Sequence, residues 1–200
     1  MTSRGEIAAS PGRRSRLSPE REGELYAAVL DELRESGYDA LTMDAVAARS
    51  RCSKATLYRQ WRGKPWLVAA ALRHSKAFPP ASLDAGSLAD DLHELVRRFG
   101  KSHRDVELGR VIGPACEKNA DLAEAMHEAI VQPLLDLLGE ITERAVARGE
   151  LEADAAAVEF LPHIIHGAFL ARPIIEGCKA DAEYLKRYVD NVVLPVLVRN

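Results

Sequence analysis

The side chains of this sequence that could bind phosphate are concentrated in residues 41–78. This segment holds eight Lys or Arg and one acidic residue, Asp44, whereas the whole chain has a net charge of −3. A compact group of cations on short helices can neutralise several DNA phosphates, and it is the electrostatic signature of a nucleic-acid-binding unit. The chemistry predicted for this segment is therefore the binding of DNA.

One predicted helix in the segment, Lys54 to Trp61, has the two unlike sides that a DNA-reading helix needs. Leu57 and Trp61 are four residues apart and give it a buried side, and Ser53 is placed to cap it. The side chains left outside can donate to phosphates or reach base edges, where arginine suits guanine and glutamine suits adenine. They are Lys54, Thr56, Tyr58, Arg59 and Gln60.

Neighbouring helices must position this reading helix. Ser18-Pro19 predicts the start of a first helix, which Gly37 ends. Thr42 caps a second helix, residues 50–52 form a tight turn, and Lys64-Pro65 opens a fourth helix. The pattern predicts a helix-turn-helix over about residues 42–61.

The order of these residues resembles the signature of the tetracycline-repressor (TetR/AcrR) family over about residues 18–72. The matching pattern is Thr42-x-x-x-Val46-Ala47, then Ser53-Lys54-Ala55-Thr56-Leu57-Tyr58-Arg59-Gln60-Trp61, then Lys64. The resemblance implies eight DNA-contacting positions, to which we add Arg59 because of its chemistry. The eight are Thr42, Ser53, Lys54, Ala55, Thr56, Tyr58, Gln60 and Lys64.

Three residues depart from the family pattern. Arg51 stands where the turn usually has Gly, which predicts a turn with a positive φ at some energetic cost. Gln60 replaces the usual His or Tyr, and Trp61 replaces Phe as a larger buried side chain.

Charge and composition divide the chain into two parts. Residues 1–78 have a net charge of +5 and residues 79–200 have −8, with a stretch rich in Pro, Gly and Ser at 78–86. We predict a mobile arm at 1–17, the DNA-binding domain at 18–78 and a second domain at 79–200. Beyond the linker the apolar spacing is helical, so the predicted fold is all-α, with an N-terminal three-helix DNA-binding domain and a C-terminal helical domain.

The resemblance implies that the C-terminal domain binds a ligand and forms a homodimer through its last two helices. The valine-rich side of the last helix fits that interface, although it could also pack within one chain; its residues are Leu185, Tyr188, Val189, Val192, Val193 and Val196. An apolar run from Asp154 to about Ile175 predicts the helix before it, bent by Pro162 and Pro173.

A pocket for an apolar or amphipathic small-molecule effector is expected between the middle helices. Each of its expected lining residues is individually more typical of plain core than of a ligand wall. They are Phe99, Val111, Met126, Ile130, Leu134, Leu138, His163, His166 and Phe169.

The sequence thus predicts a homodimeric, ligand-responsive transcriptional repressor that binds a double-stranded DNA operator. It predicts no enzyme activity, cofactor or metal, and no membrane association. The cytoplasm is the expected location, because no segment resembles a signal peptide or is apolar enough to span a bilayer. Two alternatives stay open: a non-specific nucleoid-type DNA binder, and a metal-binding helical bundle that would use His163 and His166 together with Glu124 and His127.

Overall fold

The computed structural model describes residues 17–75, 82–100 and 103–198, without the side chains of 99, 100, 103–107, 109 and 110. Within these residues the chain is mostly helical and has no β-strand, which confirms the predicted all-α class. Residues 1–16 of the predicted arm lie outside the described part, while Leu17 packs on the first helices. No helix in the described ranges is long and apolar enough to cross a membrane.

Four helices precede the predicted linker. Ser18 caps the first by accepting from the backbone N–H of Arg21. Gly37 ends the regular helix as predicted, with φ 77° and ψ 172°, and residues 38–40 add one further turn beyond that kink. The four are α1 (Pro19–Ala40), α2 (Met43–Ser50), α3 (Lys54–Gln60) and α4 (Lys64–His74).

Seven α-helices follow in the described residues. One segment of π-helix joins Ala120–Met126 to Gln132–Ala147, and another joins the last two helices. A short 3₁₀-helix, Ala156–Phe160, precedes Leu161–Ile175. The π segments are His127–Val131 and Val189–Val193. The helices are α5 (Leu88–Gly100), α6 (His103–Lys118), α7 (Ala120–Met126), α8 (Gln132–Ala147), α9 (Leu161–Ile175), α10 (Ala182–Tyr188) and α11 (Leu194–Leu197).

The start of α9 corrects the predicted helix from Asp154 to Ile175. The helix begins only at Leu161, so Pro162 lies in its first turn. A proline there loses no helical hydrogen bond, because the first N–H groups of a helix have no partner within it. Of the two prolines predicted to bend this helix, only Pro173 lies in its interior.

Two hydrophobic cores hold the helices together. The N-terminal core contains buried residues of α1 to α4 and also residues of α6 and α7, among them Leu108, Ile112 and Leu122. The C-terminal core contains α5 and α8 to α11. Helices α6 and α7 therefore pack with the DNA-binding helices, although they follow the predicted linker.

A buried carboxylate fixes the chain just after the linker. Asp91 on α5 is completely buried, and its Oδ1 accepts from the backbone N–H of Ala85 at 2.5 Å. The guanidinium groups of Arg144 and Arg148 on α8 lie 3.5 and 3.7 Å from its Oδ2. Because a buried charge is costly unless it is paired, this cluster secures the start of α5 against α8.

Candidate nucleic-acid interface

The inner side of α3 is anchored as the sequence predicts. Leu57 is completely buried, and Trp61, which follows the helix, is 8% exposed. The Trp61 ring meets the ring of Tyr26 on α1 edge to face, with 5.8 Å between their centres. Edge-to-face aromatic pairs are favourable, so this contact fixes the orientation of α3 on α1.

The outer side of α3 presents polar side chains to solvent. Lys54, Ala55 and Arg59 are exposed, and Tyr58 is 58% exposed. Because more than half of the Tyr58 side chain is exposed, its burial contributes little to stability. Its hydroxyl, however, can donate a hydrogen bond to a phosphate. This side of α3 thus has the shape and donors that a major groove accepts.

Thr42 and Ser53 order the beginnings of α2 and α3. The Thr42 hydroxyl accepts from the Ala45 backbone N–H at 3.1 Å, and the Ser53 hydroxyl accepts from that of Thr56 at 3.2 Å. The Ser53 and Thr56 hydroxyl oxygens lie 2.9 Å apart. As caps, Thr42 and Ser53 present helix N-termini, which attract anions, while a capping hydroxyl keeps its own proton to donate.

The turn between α2 and α3 places Arg51 in the left-handed region, with φ 51° and ψ 38°. Its backbone N–H donates to the carbonyls of Ala47 and Ala48, which closes α2. A non-glycine residue in this conformation costs on the order of 1–3 kcal/mol. The positive φ expected for Arg51 is therefore present.

Six of the eight cations of the basic segment fall into two groups. Arg49 donates to Glu32 and Glu35 on α1, which lowers the pKa of Glu35. Lys54 pairs with Asp44. The second group contacts no carboxylate within the described residues, so it is available to an external anion; it comprises Arg51, Arg59, Arg62 and Arg73.

Two predicted DNA contacts are engaged inside the protein. The Lys64 ammonium donates to the carbonyls of Tyr38 and Leu41 at 2.9 and 3.1 Å, so it joins α4 to the end of α1. The Gln60 amide donates to Glu22 at 2.5 Å. In this geometry both residues position helices, and contact with DNA would require these bonds to break.

The C-terminal domain contains a small apolar cavity of about 70 Å³ between α5, α8, α9 and α10. Three residues predicted for an effector pocket, Leu134, His166 and Phe169, line it together with Val96, Ile165 and Leu185. The apolar surroundings lower the pKa of His166, because they disfavour the charged ring.

The other predicted pocket residues lie elsewhere. Val111 and Met126 pack on the N-terminal core, and Leu138 is buried in the C-terminal core. Ile130 lies in a π segment, and His163 is exposed beside the Phe160 ring. The sequence placed these residues together because apolar spacing alone does not show which core a helix joins. The Phe99 side chain lies outside the described residues.

The predicted dimer side of the last helices consists of two different stripes. Leu185, Val189 and Val193 are at most 2% exposed and pack in the C-terminal core of their own chain, so their assignment to an interface was wrong. Val192 and Val196 are 37% and 43% exposed. Both stripes repeat every four residues, so periodicity could not separate them.

Further exposed apolar side chains, not predicted from the sequence, lie in elements that contact the last helices. Phe160, Leu170 and Ile174, in and before α9, are 53%, 37% and 81% exposed. Large apolar side chains at this level of exposure are typical of interaction surfaces when they are contiguous. Among the described residues, no group of three or more His, Cys, Asp or Glu side chains could hold a metal ion.

Family models match both parts of the chain. Residues 25–71 match the family described as bacterial regulatory proteins, tetR family. Residues 83–192 match the family described as tetracyclin repressor-like, C-terminal domain.

Individual proteins match over nearly the whole chain. An uncharacterized HTH-type transcriptional regulator of Mycobacterium tuberculosis is 37% identical, covering 98% of this chain and 96% of its own. A DNA-binding transcriptional repressor TetR of Mycobacteroides abscessus is 34% identical, over 90% and 94%. The solved TetR family transcription regulator SCO0332 is 28% identical over 89% and 98%, with a TM-score of 0.62. This chain belongs to the TetR family of DNA-binding transcriptional regulators.

Proposed function

We propose that the chain is a homodimeric repressor that reads a palindromic DNA operator with α3. A small-molecule effector then releases the repressor from the operator. The observation that carries the proposal is the outer side of α3. There Tyr58 and Arg59 are exposed, and Arg59 meets no carboxylate among the described residues. A relative named as a repressor supports the direction of regulation.

The exposed apolar residues of α9 and the last helices are the proposed dimer surface. Val192 and Val196 form one stripe, and Leu170 and Ile174 lie on α9, which contacts both α10 and the following π segment. A two-fold dimer would present two copies of α3 to half-sites one or more helical turns apart. Val196→Glu should give a monomer by light scattering, whereas Asn191→Glu, an exposed polar position five residues earlier, should stay dimeric.

The cavity lined by Leu134, His166 and Phe169 is the proposed effector site. Its volume of about 70 Å³ is far below the roughly 300 Å³ of the smallest typical small-molecule pockets. Effector binding would therefore select a state in which α8 and α9 have moved apart. Such a ligand releases DNA only if it binds that state more tightly than the closed one.

The test is fluorescence anisotropy with DNA from upstream of the chain's own gene and with scrambled DNA, at two salt concentrations. The proposal predicts tight binding to the first and weak binding to the second at both salt levels. Equal affinity for both, falling steeply with salt, would overturn it in favour of a non-specific binder held by phosphate contacts alone.

A further inference from the structure

An open groove of about 340 Å³ separates the DNA-binding helices from α7 and the π segment after it. One wall comes from the end of α3 and from α4, and it includes Trp61, Arg62, Trp66 and Arg73. The opposite wall comes from Ala125, Glu128 and Ala129. It is separate from the cavity between α5, α8, α9 and α10, because the two share no lining residue.

The charges of the groove favour a single negative group. Arg62 and Arg73 make no hydrogen bond or ion pair with any described residue. Glu128 is the only acidic residue of the lining. The excess of one positive charge suits a monoanion, whereas a polyphosphate would also face the Glu128 carboxylate.

Trp66 adds an unsatisfied donor to this lining. Its Nε1 is buried and has no acceptor among the described residues. Such a group costs free energy until an acceptor reaches it, and each one in a folded protein needs an explanation. The Arg62 guanidinium lies over the face of the Trp66 ring, 5.5 Å from its centre, so a cation packs on this lining residue.

Apart from the Gln60 amide, which already donates to Glu22, the rest of the groove is apolar and small. Ala69 and Ala70 of α4 face the alanines of the second wall across it. The volume is at the lower end for small-molecule sites and is too small for a peptide or nucleic acid. Short alanine side chains leave room for an aliphatic or single-ring body beside the arginines.

We propose that this groove is a second small-molecule site, which binds an amphipathic monocarboxylate between the DNA-binding helices and α7. The carboxylate pairs with Arg73 and Arg62, and the apolar body lies on the alanines. A ligand there touches the residues directly after α3 and would bias how α3 sits on the rest of the chain. That regulatory consequence rests on the proposed function, but the binding itself does not.

The chain has two tryptophans, Trp61 and Trp66, and both line the groove, so tryptophan emission reports on it directly. The probe is octanoate, titrated without DNA, with 1-octanol as the matched neutral compound. The proposal predicts a saturable emission change with octanoate and about tenfold weaker binding of octanol, because a hydrogen bond to a charged group is lost. No saturable change, or equal affinity for both compounds, would overturn the proposal.

Three variants locate the site. Arg73→Gln should weaken octanoate binding about tenfold, whereas Arg187→Gln, an exposed arginine on α10, should leave it unchanged. Leu134→Phe partly fills the other cavity and should also leave it unchanged. Wild-type affinity for octanoate in Arg73→Gln, or loss of the emission change in Leu134→Phe, would contradict the proposal. If circular dichroism shows that Arg73→Gln is unfolded, Arg62→Gln takes its place. The titration contains no DNA, so a failed titration overturns only the proposed groove site. A failed operator assay overturns only the proposed function.

Discussion

The arginines from Arg51 to Arg73 and those of the C-terminal domain use their charge differently. Beyond the linker, every arginine whose side chain is described contacts a carboxylate, and two of them lower the pKa of Glu94 to about 2. These are Arg97, Arg98, Arg144, Arg148, Arg172 and Arg187. From Arg51 to Arg73, four arginines contact none in the described chain. The C-terminal domain neutralises its described arginines internally, whereas the segment from Arg51 to Arg73 leaves its arginines for an external anion.

The boundary between the two hydrophobic cores does not coincide with the predicted linker in the sequence. Helices α6 and α7 follow the linker but pack with α1 and α4 in the N-terminal core. The reading helix therefore rests on elements that lie beyond the linker. Any movement of α7 relative to α8 would reach α3 through α4 without passing along the linker.

The largest predicted effect tests this division of the cores. Leu122→Ala on α7 should lower the free energy of unfolding by about 2–5 kcal/mol, because Leu122 is fully buried. Hydrogen exchange should then lose protection in α1 and α4 rather than in α10. Leu185→Ala, at an equally buried site of the C-terminal core, should show the opposite pattern. Equal loss of protection in both regions for both variants would mean that the cores unfold as one.

The next prediction concerns the unpaired arginines. Arg59→Ala should weaken operator binding by about 1–3 kcal/mol while leaving the melting temperature unchanged, because this side chain is exposed and holds nothing within the described chain. Tyr58→Ala should act in the same direction. Anisotropy titrations would measure both.

Arg187→Ala is the matched control in the C-terminal domain, where the arginine is paired with a carboxylate. It also removes one exposed cation, but from α10, where Glu183 lies 3.5 Å away. Operator affinity should not change. If Arg187→Ala weakened binding as much as Arg59→Ala, net charge rather than the position of the cation would govern DNA affinity.

A smaller effect is expected at the turn. Arg51→Gly should raise the free energy of unfolding by about 1 kcal/mol, because glycine adopts the left-handed conformation without strain. If Arg51 also contacts a phosphate, the slope of log affinity against log salt should become shallower by about one unit. Denaturant unfolding and a salt series of binding curves separate the two effects. A less stable Arg51→Gly protein would show that the turn is not strained.

The smallest effect depends on pH. Desolvation lowers the pKa of His166 from its usual 6.5, so below pH 6.5 the unfolded chain binds a proton that the folded chain does not. Stability should therefore fall as the pH drops through 6.5. In His166→Gln the free energy of unfolding should fall less as the pH drops through 6.5. Above about pH 7.5 its pH dependence should match that of the wild type. The His166 side chain is partly open to solvent, and an unchanged pH profile would show that this exposure keeps its ring solvated in the folded chain.

The sequence predicted the α3 side of the molecule more completely than the C-terminal domain. Leu57, Trp61 and the caps Thr42 and Ser53 were assigned correctly, because they act within one or two turns of their own helices. Lys64 and Gln60 were harder, because their partners Tyr38, Leu41 and Glu22 lie more than 20 residues away. Only the packing of α1 on α3 and α4 brings those groups together.

In the C-terminal domain the spacing of apolar residues was ambiguous. The stripe of Leu185, Val189 and Val193 and the stripe of Val192 and Val196 have the same four-residue period, and a π segment runs through both. Burial was decided by contact with α5, which lies about 90 residues earlier. The groove beside Trp66 was not predicted at all, since its walls come from separate helices.

The most direct test of the central claim, that α3 reads DNA with Arg59, a cation that no described carboxylate pairs, is selection of bound duplexes from a random DNA library followed by sequencing. The account predicts an enriched palindrome whose half-sites are one or more helical turns apart, and the loss of enrichment at defined base pairs when Arg59→Ala protein is used. Salt-sensitive binding without any enriched sequence would contradict the account.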